Sequence, residues 1–158
     1  MNRSAIMRAV PSRNTSAELK VRAILRTIMT GYRLHRSDIP GKPDIAFVGR
    51  RLAIFVHGCF WHGHDCKRGA RAPKTNAEYW RAKIERNVAR DALHQTALRE
   101  QGWRALTIWE CELSDADLVA VKLRSFIAAP ETSVSQRESR ALAPRPKARR
   151  GERSGLQR

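Results

Sequence analysis

The sequence predicts an α/β fold, a small mixed β-sheet flanked by helices, and three observations carry that reading. After Thr15, the apolar residues Val21, Ile24, Leu25 and Ile28 recur at helical spacing. Apolar runs at residues 45–48 and 52–56 are parted by Gly49-Arg50-Arg51, the pattern of a hairpin. A long helical stretch from residue 75 to about residue 100 then precedes another apolar run, residues 103–109.

Taken in order, Thr15 and Glu18 form a capping-box signature that opens the first helix, and Gly31 is its expected stop. Residues 32–35 read as a short strand, and Pro40-Gly41-Lys42-Pro43 as a rigid turn. The hairpin strands follow. A second capping box, Thr75 with Glu78, opens the long helix and Gly102 closes it. Residues 103–109 (WRALTIW) read as a buried strand, and Ser114 as the cap of a last helix carrying Leu118, Val121 and Ile127. The expected order is α-β-β-β-α-β-α, in one domain over residues 1–129. Residues 130–158 are rich in Arg, Ser, Pro and Ala with few large apolar residues, and are expected to form a disordered basic tail.

The chain has 158 residues, enough for one compact domain with a real core. No apolar run approaches the roughly 18 residues of a membrane span, and no signal-peptide core is present near the start. Three cysteines, an odd number, make a poor disulfide framework and suit thiolate ligands in a reducing cytoplasm. Net charge is +16, and the tail does not explain it: 23 Lys/Arg face 12 Asp/Glu before residue 130. A polyanion is the expected partner, through phosphate neutralisation and counterion release. An anionic membrane surface would instead want a basic amphipathic helix, and none is evident.

The chemistry concentrates in HGCFWHGHDC, residues 57–66. Cys59, His64 and Cys66 have a spacing that lets a loop close on one zinc ion, and Cys111 completes a Cys3His set if residues 103–109 lie beside residues 52–56. Free cysteines are the plainer alternative. His57 and His62 flank the pinned loop; His57 ends one hairpin strand and Asp44 leads the other, so carboxylate and imidazole could share a cleft, one taking Mg²⁺ and the other moving protons. Asp44 equally suits a Pro-rich turn, and Glu18 a cap alone. His35 and His94 receive no role. Phe60, Trp61 and Trp80 read either as core or, in a basic protein, as wedges between base pairs.

In this order, RSAIMRAV, RLHRSDIPGKPDIAF, IFVHGCFWHGHDC, EYWRAKIERN and GWRALTIWEC closely resemble the very short patch repair (Vsr) DNA mismatch endonucleases, over about residues 2–112. The resemblance implies a restriction-endonuclease-like fold that nicks DNA at T·G mismatches left by 5-methylcytosine deamination. It makes Asp44 a Mg²⁺ ligand together with the Val56 main-chain carbonyl, His62 the general base, and His57 its partner at the scissile phosphate. Glu18 becomes the acid that supports catalysis. Cys59, His64, Cys66 and Cys111 become structural zinc ligands, and Phe60, Trp61 and Trp80 the wedge, with Met7 entering from the opposite groove. Phe55-Val56-His57 replaces the acid-x-Lys element of the wider nuclease superfamily, a feature of this branch. Val56 stands where some members carry Thr, and Gly63 where some carry His.

The expected function is therefore Mg²⁺-dependent, strand-specific nicking 5′ of the mismatched T, by a monomer in a bacterial cytoplasm acting on chromosomal DNA. Other mismatch-repair proteins are candidate partners; a membrane is not. A zinc-stabilised DNA-binding module without catalysis and a sequence-specific restriction endonuclease are the alternatives.

Overall fold

The computed structural model describes residues 12–71 and 73–130. Helix α1 (Ser16–Arg26) leads to strands β1 (Arg33–Leu34), β2 (Ile45–Phe47) and β3 (Leu52–His57), then to α2 (Ala77–Glu100), β4 (Arg104–Trp109) and α3 (Ala116–Ala128). That is the order expected from sequence. Met7 and residues 131–158 lie outside the described residues.

Sheet order is β1-β2-β3-β4, antiparallel across the first three strands and parallel between β3 and β4. A parallel pair needs a long crossover, and α2 supplies it. Side chains alternate across the sheet. Ile45, Phe47, Leu52 and Ile54 face one side, where they join Val21 and Leu25 of α1 and Val119, Leu123 and Ile127 of α3. Ala46, Ala53 and Phe55 face the other, packed with Leu98 of α2. Among the described residues, no helix is long and apolar enough to cross a membrane.

The helix ends show where local signals held and where they shifted. Thr15 Oγ1 accepts from the Glu18 N–H, while the Glu18 carboxylate reaches the Asn14 N–H, one residue before the usual capping-box donor. Helix α1 ends at Arg26, and Gly31 turns the chain at φ +89° some way beyond it. Helix α2 starts one residue later than the capping box on Thr75 implies. Asn76 is the N-cap, at a left-handed φ of 56° that Asn tolerates, and makes no capping bond with its side chain. Gly102 does close α2: its N–H donates to Arg99 O and the Trp103 N–H to Leu98 O, the paired bonds of a Schellman motif.

Two further expectations are corrected. Strand β4 is an edge strand, half-exposed along its length with only Ile108 buried, because it has a sheet neighbour on one side only. Asp115, not Ser114, caps α3 by accepting from the Leu118 N–H; the Ser114 hydroxyl donates instead to Cys111 O.

Candidate functional site

Strand β3 ends at His57, and the chain folds at once into a compact loop. The His64 N–H donates to Cys59 O, the Cys66 N–H to His64 O and the Ala70 N–H to Cys66 O. Gly69 makes that coil possible. A Cβ there would come within 1.8 Å of His64 O, a distance no side chain tolerates. Because β4 runs parallel beside β3, with Trp109 paired to His57, the 3-10 turn at Glu110–Ser114 carries Cys111 to the loop. Cys59, His64, Cys66 and Cys111 each offer a ligand atom, all within 4.8 Å of one another. Burial pushes the Cys59 thiol up to about 12. The Gly69 N–H, donating to Cys66 Sγ at 3.4 Å, brings Cys66 down to about 6. This is a cluster able to hold a metal ion, and the sequence had assembled all four members.

A second group lies on the α2 side of the sheet, in an open cleft of about 1080 Å³ lined by Asp44, Val56, His57, His62 and Asp91 among others. His57 and His62 stack, and His62 Nδ1 meets Asp91 Oδ2 at 2.5 Å. Burial, and then the His62 charge, hold His57 down to about 4. Trp109 lies edge-on to His57 and stacks on His64, so one ring touches both the cleft and the cysteine cluster. Across the cleft, Asp44 Oδ2 accepts from the Val56 N–H at 2.7 Å. Burial raises the Asp44 carboxyl, a tendency the Val56 N–H opposes and the Glu18 charge reinforces.

Glu18 is the one polar or charged residue buried among the described residues, 1 % exposed. It closes a third group with Asp44 and His35, their ligand atoms again within 4.8 Å. Its position joins the two readings of the sequence, since the same carboxylate caps α1 and faces Asp44.

Sequence reasoning missed Asp91 and His35. Asp91 lies in the middle of a helix that mixes five Lys/Arg with four Asp/Glu, where an acid reads as a solvated charge. His35 is isolated in sequence and comes to Asp44 only through the β1–β2 register, in which Leu34 pairs with Ile45. No local spacing announces either one.

The three aromatic rings form neither a core nor a free surface. Phe60, Trp61 and Trp80 sit 5.3–6.0 Å apart, half-buried, and belong to neither core cluster. Lys83 Nζ lies 5.3 Å from the ring centres of both tryptophans. Asn87 of α2 donates to Trp61 O, and a Cβ on Gly63 would press on Ile84 and Val88 of the same helix. The loop is thus held from both ends, by the cysteine cluster and by α2.

Comparison with known proteins adds an independent line. The family described as DNA mismatch endonuclease Vsr matches residues 1–68. A type II nicking enzyme of Xanthomonas oryzae pv. oryzae, V.XorIIP, is 49% identical over 125 residues, covering 79% of this chain and 91% of the relative. The DNA mismatch endonuclease Vsr of Escherichia coli is 40% identical over 111 residues, 70% of each chain. V.NmeAIP, a type II nicking enzyme of Neisseria meningitidis, is 35% identical over 127 residues, or 79% of this chain and 89% of that one.

Proposed function

The chain belongs to the Vsr family of endonucleases, and from that premise we propose that it nicks one strand of duplex DNA on the 5′ side of the T in a T·G mismatch. The observation that carries this reading is the single cleft in which Asp44, His57, His62 and Asp91 converge. With its Nδ1 donating to Asp91, His62 presents Nε2 as the basic nitrogen. That nitrogen takes the proton of the attacking water as the P–O3′ bond opens, leaving a 3′-hydroxyl and a 5′-phosphate. Asp91 fixes the tautomer and balances the imidazolium that forms. His57, held neutral, serves as a hydrogen-bonding partner at the phosphate.

Asp44 and the Val56 carbonyl are the groups that would hold Mg²⁺, with Glu18 in support. The fit is supported by donor chemistry, since carboxylate and carbonyl oxygens suit a hard cation, and by the Glu18 Oε1 atom, buried without a hydrogen-bond partner among the described residues. A divalent ion there supplies charge stabilisation for the phosphate oxygens and leaving group.

Cys59, His64, Cys66 and Cys111 are the residues that would hold a structural zinc. Tetrahedral bonds of about 2.0 Å to nitrogen and 2.3 Å to sulfur put such ligands about 3.5 Å apart, and Cys111 Sγ and His64 Nδ1 lie 3.5 Å apart here. Phe60, Trp61 and Trp80, with Met7, are the wedge. Opening a base step costs least where pairing is already weak, which favours a mismatch over a paired site. The net charge of +16 supplies phosphate affinity.

The test is incubation with Mg²⁺ and labelled duplexes carrying T·G or T·A in several cytosine-methylase contexts. Nicking confined to T·G supports the reading. Cleavage of both strands of paired DNA favours a restriction enzyme, and binding without cleavage favours a DNA-binding module. Relatives named as type II nicking enzymes favour a requirement for sequence context around the mismatch.

A further inference from the structure

His35 follows β1 in a left-handed conformation, φ +50°, which costs energy for a residue with a side chain. Its N–H donates to the Asp44 carbonyl at 3.1 Å, so its backbone is fixed to that of Asp44. The ring points at Glu18: His35 Nε2 lies 3.1 Å from Glu18 Oε1. Neither atom makes a hydrogen bond among the described residues, although both are buried. The Glu18 side chain is only 2% exposed, and its other oxygen is occupied by the Asn14 N–H. Among the described residues, Arg22 Nη1 is the other cation paired with Glu18, at 3.7 Å from Oε1, and it donates to Asn14 Oδ1 instead.

A buried carboxylate oxygen that receives no hydrogen bond costs free energy, even with ion-pair neighbours. An imidazole nitrogen facing it at close range, with an Asp44 carboxylate oxygen completing the triangle, is the donor set of a metal site. We propose that His35 is a direct ligand of the catalytic divalent cation, beside Asp44 and Glu18, and that the site therefore prefers Mn²⁺ to Mg²⁺. Mg²⁺ binds oxygen and keeps its waters, whereas imidazole nitrogen suits the later divalent ions. Mn²⁺ accepts both donor types. The ion's catalytic role rests on the nuclease reading, whereas the ligand assignment stands on the three side chains alone.

The probe is Mn²⁺ added to the full-length protein already loaded with zinc, so that the cysteine cluster is filled. Affinity is measured by titration against Mg²⁺, and direct nitrogen ligation by ¹⁴N modulation of the Mn²⁺ electron spin echo. The wild type is expected to bind Mn²⁺ roughly tenfold or more tighter than Mg²⁺ and to show imidazole coupling. His35→Gln and His35→Asn, each checked for an unchanged melting temperature, should lose the coupling and most of the preference. His62→Ala should keep both, which separates this site from the His57–His62–Asp91 group. A wild type without nitrogen coupling overturns the assignment, as does coupling retained in either folded His35 variant. Nicking of T·G duplex is scored on the same samples. Nicking without nitrogen-coupled Mn²⁺ defeats the ligand and leaves the nuclease; coupling without nicking does the reverse.

Discussion

His57 and His62 lie face to face, their ring centres 3.8 Å apart and their planes 7° from parallel. Two imidazolium rings at that distance would repel strongly, so the stack carries at most one charge. Asp91 touches His62 and not His57, so it is the imidazolium formed when His62 takes a proton that a carboxylate balances.

That division sets a pH dependence. His57 is held at about 4, below its ordinary 6.5, chiefly by burial. Between those values the unfolded chain binds the proton that the folded chain refuses, so stability rises with pH through the window and falls as acid is added. His57→Asn cannot take a proton and should show a shallower fall in melting temperature from pH 7 to pH 4 than the wild type. Parallel curves would show that this ring contributes nothing to acid sensitivity.

Chemistry and binding should separate cleanly in the cleft. Asp44→Asn removes a charge at nearly constant volume, so the variant is expected to bind mismatched duplex and not to nick it. His62→Ala should keep binding and lose about 10²–10⁴ in rate, the usual range for a general base. Asp91→Asn should also slow nicking, because the amide cannot stabilise an imidazolium. Rates near wild type in Asp44→Asn would move the chemistry elsewhere.

The cysteine cluster should hold about one zinc per chain. Cys66→Ser is expected to release it, lower the melting temperature and lower activity together, since the loop then loses its tie to Cys111. Elemental analysis and calorimetry on the same preparation check this. A folded, active, zinc-free wild type would end the assignment.

Truncating Phe60 and Trp61 to Ala tests the rings. As a wedge, the pair can go with the zinc retained and the melting temperature little changed, while preference for T·G over T·A disappears. As interior packing, each truncation would cost about 3–5 kcal/mol. Half-burial outside both cores argues for the first outcome.

Much of this was legible in the sequence, for a physical reason. The element order followed from periodicity, and the cysteine cluster from ligands close in sequence. Cys111 needed only one tertiary inference, the pairing of β4 with β3. Asp91 and His35 needed more. Each reaches its partners through a crossover or a strand register, and neither leaves a trace in local spacing. The displaced caps of α2 and α3 were lost for other reasons: Asp115 adjoins Ser114, and neighbouring capping residues compete at similar free energy, whereas Asn76 opens α2 through its left-handed backbone and not through a side-chain bond.

The contact between Cys111 and His64 spans 47 residues of chain. An ion held at that cluster would act as a cross-link, and a covalent link closing such a loop removes about 4 kcal/mol of unfolded-state entropy. All of α2, with Asp91 and Trp80, lies inside the loop. With zinc as the ligand proposed for that cluster, the supply of metal during folding would become a checkpoint on assembly: a chain made without it would lack the clasp that draws its second wall, the one bearing Asp91, to the first.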